Sequence, residues 1–228
     1  GNRGAIAAAG AIEPLVALLK TGSQSAKVLA ADALGILACD PGNRGAIAEA
    51  GAIEPLIALL KTDSELAKEH AARALGNLAC DPGNRGAIAA AGAIEPLVAL
   101  LKTGSQSAKV LAADALGNLA CDNPGNQVAI AAAVEPLVAL LETGSEEAKL
   151  TAAGARALAH LARNNDANKV AIAAAGGIRP LVALLETGSE EVKKNAGESL
   201  ALLARNNDAN KVAIAAAGGI RPLVALLE

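Results

Sequence analysis

The side chains able to do chemistry in this chain are few and widely spaced. There are two histidines, His70 and His160, and three cysteines, Cys39, Cys80 and Cys121. A nucleophilic centre needs a Ser, Cys or carboxylate placed with a base, and neither histidine has such a companion in the sequence. The cysteines recur 41 residues apart with no CxxC and no close Cys–His pair, which argues against a metal site. If that interval is one stacked unit, equivalent positions lie roughly 10 Å apart, beyond the ~7 Å Cα reach of a disulfide. Free, half-buried thiols are expected, as suits a reducing environment. The glycine-rich turns lack a Lys-Ser/Thr tail and follow no strand, so they are not phosphate loops. The expectation is a protein that is not an enzyme and that needs no metal and no cofactor.

What remains is a polar series at a near-constant interval. With Asn77 and Asn118 as reference, the equivalent positions in other units hold Ile36, His160 and Leu202. Four residues earlier stand Asp32, Arg73, Asp114, Arg156 and Glu198; seven earlier stand Leu29, His70, Leu111, Ala153 and Asn195. On a helix, residues four and seven apart share a face.

The elements that must carry this series repeat. IAAAGAIEPLVALL at Ile6–Leu19 returns at Ile47–Leu60 with two changes, at Ile88–Leu101 unchanged, and at Ile130–Leu141 as IAAAVEPLVALL. It returns twice more as IAAAGGIRPLVALL, at Ile172–Leu185 and Ile214–Leu227. Aligned on Asn2, Asn43, Asn84, Asn126, Asn168 and Asn210, the intervals are 41, 41, 42, 42 and 42. Each unit reads as three helices. A short one (Asn2–Ala9) ends at Gly10, where a left-handed glycine can stop it. A second (about Glu13–Lys20) has Pro14 near its first turn and Leu15, Leu18 and Leu19 on one stripe. Gly22 closes it and Ser23 caps a longer third helix, about Gln24–Ala38, whose buried set is Ala30, Ala33, Leu34 and Leu37. Acids follow the cap in Ser145-Glu146-Glu147 and Ser189-Glu190-Glu191, where the helix dipole favours them.

A short helix, a glycine-separated GAIEPLVALL helix and a long helix ending in ALGNLA, at 41–42 residues, resemble an armadillo repeat. HEAT repeats share the length but have two helices and lack this signature. The resemblance covers the whole chain and implies an all-α, right-handed α-α superhelix, an armadillo-type solenoid with three helices per repeat. Five repeats are expected at about 1–40, 41–81, 82–123, 124–165 and 166–207, with a partial sixth at 208–228 forming one array. The resemblance further implies that the third helices line a concave groove. Members of the importin-α and β-catenin class hold extended peptides there with an asparagine ladder. That role carries over to Asn77 and Asn118. Arg73, Asp114, Asp32, His70, Arg156 and His160 would flank them. The importin-type Trp four residues before the Asn is missing, which argues against nuclear-localisation signals. The Asp32, Arg73, Asp114, Arg156 alternation reads either as inter-repeat ion pairs or as a recognition surface.

Composition narrows the reading. The chain has 228 residues, 53% of them apolar, yet no Phe, Trp, Tyr or Met. Gly1–Gly35 and Gly83–Gly117 are identical, as are Leu161–Glu186 and Leu203–Glu228. Such uniformity points to an idealised or assembled scaffold without an evolved ligand; recent duplication of a natural array is the alternative. Units one to three and units five and six use different wording, with the seam near Asn123–Leu161. Unit four lacks two residues before Val134 and has two extra between Lys149 and His160, so either its first helix is cut short or its second enters at a new angle. Net charge is −3, with 10 basic and 12 acidic residues in 1–122 and 10 and 11 in 123–228. Neither half suits nucleic acid or a membrane surface, and no targeting segment is visible. The partner classes that fit are an extended peptide or protein segment and, through aliphatic faces left at both ends, another copy stacked end to end.

Overall fold

The computed structural model describes residues 2–142 and 148–226, and among these every regular element is helical. The cap at Ser145-Glu146-Glu147 lies outside the described residues. The chain forms two compact units, Gly1–Leu119 and Ala120–Glu228.

In the first unit, first helices are α1 (Asn2–Ala8), α4 (Pro41–Glu49) and α7 (Pro82–Ala90). Second helices are α2 (Ile12–Thr21), α5 (Ile53–Leu60) and α8 (Ile94–Thr103). Third helices are α3 (Gln24–Leu37), α6 (Glu65–Ala79) and α9 (Gln106–Ala120), the last ending just past the unit's boundary. Like stacks on like: α1 on α4 on α7, α2 on α5 on α8, and α3 on α6. Caps follow the local chemistry. Ser23 accepts from the Ala26 N–H and Ser64 from the Ala67 N–H, while Asp40 and Asp81 cap the proline-led first helices. Gly10 takes φ +82°, the left-handed stop its position demands. Gly22 works differently. Its backbone is extended, and a Cβ there would meet the Leu18 carbonyl at 2.6 Å.

Two expected core sets shift. On α3, Ala31 is buried in place of Ala33, and Val28 joins it. On α2 the buried stripe is Ile12, Val16 and Leu19; Leu15 is half-buried and Leu18 is 45% exposed, because among the described residues no second helix stacks on that side of α2. Their counterparts Leu56 and Leu59 are buried. Cys39 and Cys80 are exposed rather than half-buried, Cys121 is intermediate, and none of the three forms a disulfide.

The second unit starts from the irregular repeat. α10 (Pro124–Ala129) is cut to six residues and runs through a 3-10 turn (Ile130–Ala133) into α11 (Val134–Leu141), without the glycine stop. Pro124–Leu141 is apolar enough for a membrane by length and composition, but half of it is buried, with α11 packed on α12 and α13. Then come α12 (Ala148–Ala162), α13 (Asp166–Ala174), α14 (Ile178–Thr187), α15 (Glu190–Ala204), α16 (Asp208–Ala216) and α17 (Ile220–Ala225). Here too α12 stacks on α15, α13 on α16 and α14 on α17. The change of period from 41 to 42 has a local cause. One extra residue enters each junction before the first helix, and Asp122, Asn164 and Asn206 absorb it at φ +47°, +54° and +55°. Asn and Asp tolerate that conformation better than other side chains. Asn123, Asn165 and Asn207 then serve as caps.

Candidate functional site

Of the asparagines used above only to align the repeats, Asn43, Asn84, Asn126, Asn168 and Asn210 sit buried inside the first helices, while Asn2 is exposed. Asn43 Nδ2 donates to the carbonyls of Arg3 (3.3 Å) and Leu37 (3.1 Å); Asn84 does the same to Arg44 and Leu78. Asn168 reaches Gln127 (3.2 Å) and Leu161 (3.0 Å), and Asn210 reaches Lys169 and Leu203. Each therefore ties the preceding first helix to the end of the third helix before it. A buried amide must be satisfied, and here both donors go to backbone. Recurrence at every repeat was the signal in the sequence, although it marks structure rather than an opening residue.

The third-helix series falls on one face in the first unit. Asn77 and Asn118 are half-exposed, as are Asp32, His70, Arg73 and Asp114. Leu29 and Ile36 lie open on the same stripe of α3, 70% and 44% exposed. Asp32 gathers its neighbours from the next repeat: Arg73 Nη1 lies 2.9 Å from Asp32 Oδ1, and His70 Nδ1 is also 2.9 Å away. The His70 ring is turned so that its Nδ1 makes no directed hydrogen bond. Both asparagines look back one repeat. Asn77 Nδ2 donates to the Gly35 carbonyl at 2.9 Å and lies 3.5 Å from Cys39 Sγ; Asn118 Nδ2 donates to Gly76 at 3.0 Å and lies 3.4 Å from Cys80 Sγ. The third helices lie close here: a Cβ added at Gly35 would stand 3.5 Å from Ala74 and one at Gly76 3.4 Å from Ala115, both ordinary van der Waals contact. Neither Oδ1 accepts a hydrogen bond from another described residue. At the other end of α6, Ser105 donates its hydroxyl to Glu69 (2.6 Å) and its N–H to Glu65 (3.1 Å). Bonds from Lys68 and then Ser105 hold the Glu65 carboxyl below its ordinary value.

The second unit treats the same positions otherwise. Leu202 and Ala153 are buried, and Arg156 is half-exposed. His160 keeps its Nδ1 buried and unpaired. Burial, then the Arg163 guanidinium, holds its imidazole below the ordinary histidine value; Glu198 pulls the other way. Arg163 Nη2 pairs with Glu198 at 2.8 Å. The third helices are joined by the buried Ser199 Oγ, which donates to the Ala155 carbonyl (2.6 Å), and by the half-exposed Asn195 Nδ2, which donates to Ala152 (3.3 Å). Ser199 stands where the first unit has Ala74 or Ala115, and a serine in an otherwise alanine position was its only sequence signal. Lys169, beside the buried Asn168, is buried and donates to Asp166 (2.7 Å) and forward to the Arg205 carbonyl (2.8 Å). Arg44 and Arg85 at the same place reach back instead, to Ala38 and Ala79. Among the described residues no group of three or more His, Cys, Asp or Glu is placed to hold a metal ion.

The model of the Armadillo/beta-catenin-like repeat matches residues 1–39, 40–80, 81–121 and 165–205. No curated protein matches the chain. Among solved structures, an engineered protein is 37% identical with a TM-score of 0.87, covering 95% of this chain and 88% of its own. A designed armadillo repeat protein is 31% identical with a TM-score of 0.87, covering 94% and 91%. Another, solved in complex with the peptide (KR)4, is 32% identical with a TM-score of 0.79, covering 88% and 85%. With four stretches of the chain matched by the repeat model and its α-solenoid architecture shared with these structures, the chain belongs to the armadillo repeat family.

Proposed function

We propose that the chain is a non-enzymatic repeat scaffold, designed or consensus-derived, whose groove was not shaped around one ligand. The observation that carries this reading is the inward use of the ladder. The Asn77 and Asn118 amide nitrogens, the donors a peptide carbonyl would need, are already spent on Gly35 and Gly76. The equivalent Leu202 is buried, and Asp32 is already engaged by Arg73 and His70. The engineered and designed relatives and the near-identical repeats support the same reading. We read the array as five repeats and a partial sixth, with the boundaries given above. A peptide-library selection against the chain and its Asn77→Ala/Asn118→Ala variant tests this. The expected result is no enrichment, or enrichment indifferent to the substitutions.

One observation favours a second reading, a peptide-binding adaptor. Among the described residues the Oδ1 atoms of Asn77 and Asn118 accept no hydrogen bond, so each can accept a peptide N–H. A related designed protein was solved with (KR)4. On that reading the site comprises Asn77, Asn118, Asp32, Arg73, His70 and Asp114 in the first unit. Enrichment that disappears in the double variant would establish it in place of the first.

A further inference from the structure

The outer faces of the second helices carry a pattern that the groove does not use. On α2, α5 and α8 a glutamate, an alanine and a lysine stand at i, i+4 and i+7: Glu13, Ala17 and Lys20; Glu54, Ala58 and Lys61; Glu95, Ala99 and Lys102. All nine are exposed. At 100° per residue each trio falls within roughly 60° of arc, with the charges about 10 Å apart along the axis. Because α2, α5 and α8 stack side by side, the face has an acidic edge, a basic edge and a trough of alanines between them.

Such a face is complementary to itself. A twofold axis along the stacking direction lays each helix antiparallel on its own copy. Glu54 then meets the partner's Lys61 and Lys61 meets the partner's Glu54, and the other two helices pair likewise. The alanines let the axes approach to roughly 8 Å, the close end of helix packing. A cavity of about 460 Å³ opens between α5 and α8, beside Lys61, Glu95 and Ala99 over Leu60 and Leu100, and gives an incoming side chain room. We propose that this face is an isologous interface through which the first unit pairs with the first unit of a second copy. The second unit lacks it: α11 carries Glu135, Ala139 and Glu142, which would set acid against acid, and α14 reverses the order as Arg179, Ala183 and Glu186. Exposed charge pairs are individually weak, so the association depends on all three helices and on ionic strength.

Sedimentation velocity at several protein concentrations, in about 10 mM and about 1 M salt, where the Debye length falls from roughly 30 to 3 Å, tests the interface. The expected result is a mass rising to two chains in low salt and returning to one in high salt. Lys20→Glu/Lys61→Glu/Lys102→Glu and Glu13→Lys/Glu54→Lys/Glu95→Lys should each stay single, and their equimolar mixture should regain the two-chain mass. Ala58→Arg, which fills the trough on an exposed helical position, should abolish pairing while circular dichroism stays unchanged, and keeps the test open if a triple variant misfolds. A chain that remains single in low salt overturns the proposal and leaves these charges serving the helix dipoles alone. A dimer that persists in Ala58→Arg or in either triple variant also overturns it, by placing association on another surface.

Discussion

The two units solve one packing problem in two ways. In the first, adjacent third helices are joined at the rim of the groove, by an asparagine amide donated to a glycine carbonyl one repeat back. In the second, the join moves to the buried Ser199, with half-exposed Asn195 beside it, and the former ladder positions are filled by His160 and buried Leu202. The basic residue beside the buried asparagine also changes direction, reaching back as Arg44 and forward as Lys169. Period and architecture survive both exchanges. The stacking of armadillo repeats is therefore fixed by what the two units share, the buried asparagine and the aliphatic stripes, and the groove-facing polar groups are free to vary.

The shared joint should cost the most to remove. Asn168→Ala and Asn84→Ala each strip two buried carbonyls of a donor, with an expected loss of about 2–4 kcal/mol from the 1–3 kcal/mol typical of each unsatisfied buried group, read as a fall in the denaturant midpoint. Lys169→Ala should cost about 2 kcal/mol, the range for a hydrogen bond from a charged group. Lys211→Ala, at the same repeat position but exposed, should be near neutral in the same experiment. Equal losses at both lysines would remove the forward reach as a distinguishing feature of the second unit. Asn164→Val should cost about 1–2 kcal/mol because a β-branched residue resists the left-handed conformation, whereas Asn164→Gly should not destabilise. Next come Asn77→Ala and Ser199→Ala at about 1 kcal/mol each, the rim join against the interior one.

The smallest effect is the pH dependence contributed by His160 in the second unit. The folded His160 value is lowered below 6.5. Above 6.5 both folded and unfolded states hold it neutral and the full stability is present. As pH falls below 6.5 the unfolded state takes up a proton that the folded state resists, so stability declines until the folded value is passed. His160→Leu should flatten that slope in denaturation curves between pH 7 and pH 5; an unchanged slope would assign it to other groups.

Much of this was legible in the sequence, because the repeats announce their helices through residues with one local job. Gly10 had to take positive φ, Ser23 had to cap, and the missing residues before Val134 had to shorten the first helix or turn the second. The candidate face was legible as well, since Asp32, Arg73 and Asn77 share it by helical period alone. What escaped depends on contacts between repeats. That Asn77 spends its amide on Gly35 follows from how closely α6 approaches α3, a distance that no periodicity encodes. Leu18 and Leu59 occupy one repeat position yet differ in burial, because a neighbour packs on only one of them. Nothing in its own stretch of sequence marks Lys169 as buried, because the Arg205 carbonyl it reaches comes from the next repeat.

The buried asparagine has a consequence for modularity. For Asn43, Asn84, Asn168 and Asn210, the hydrogen bonds described all end on main-chain carbonyls. The coupling between successive repeats is thus blind to side-chain identity: Arg3, Gln127 and Lys169 serve equally as acceptors. Repeats of either wording can follow one another, and whole repeats can be inserted, removed or exchanged without redesigning the joint. The fold is in that sense a grammar, tolerant of vocabulary wherever the one obligatory amide is kept.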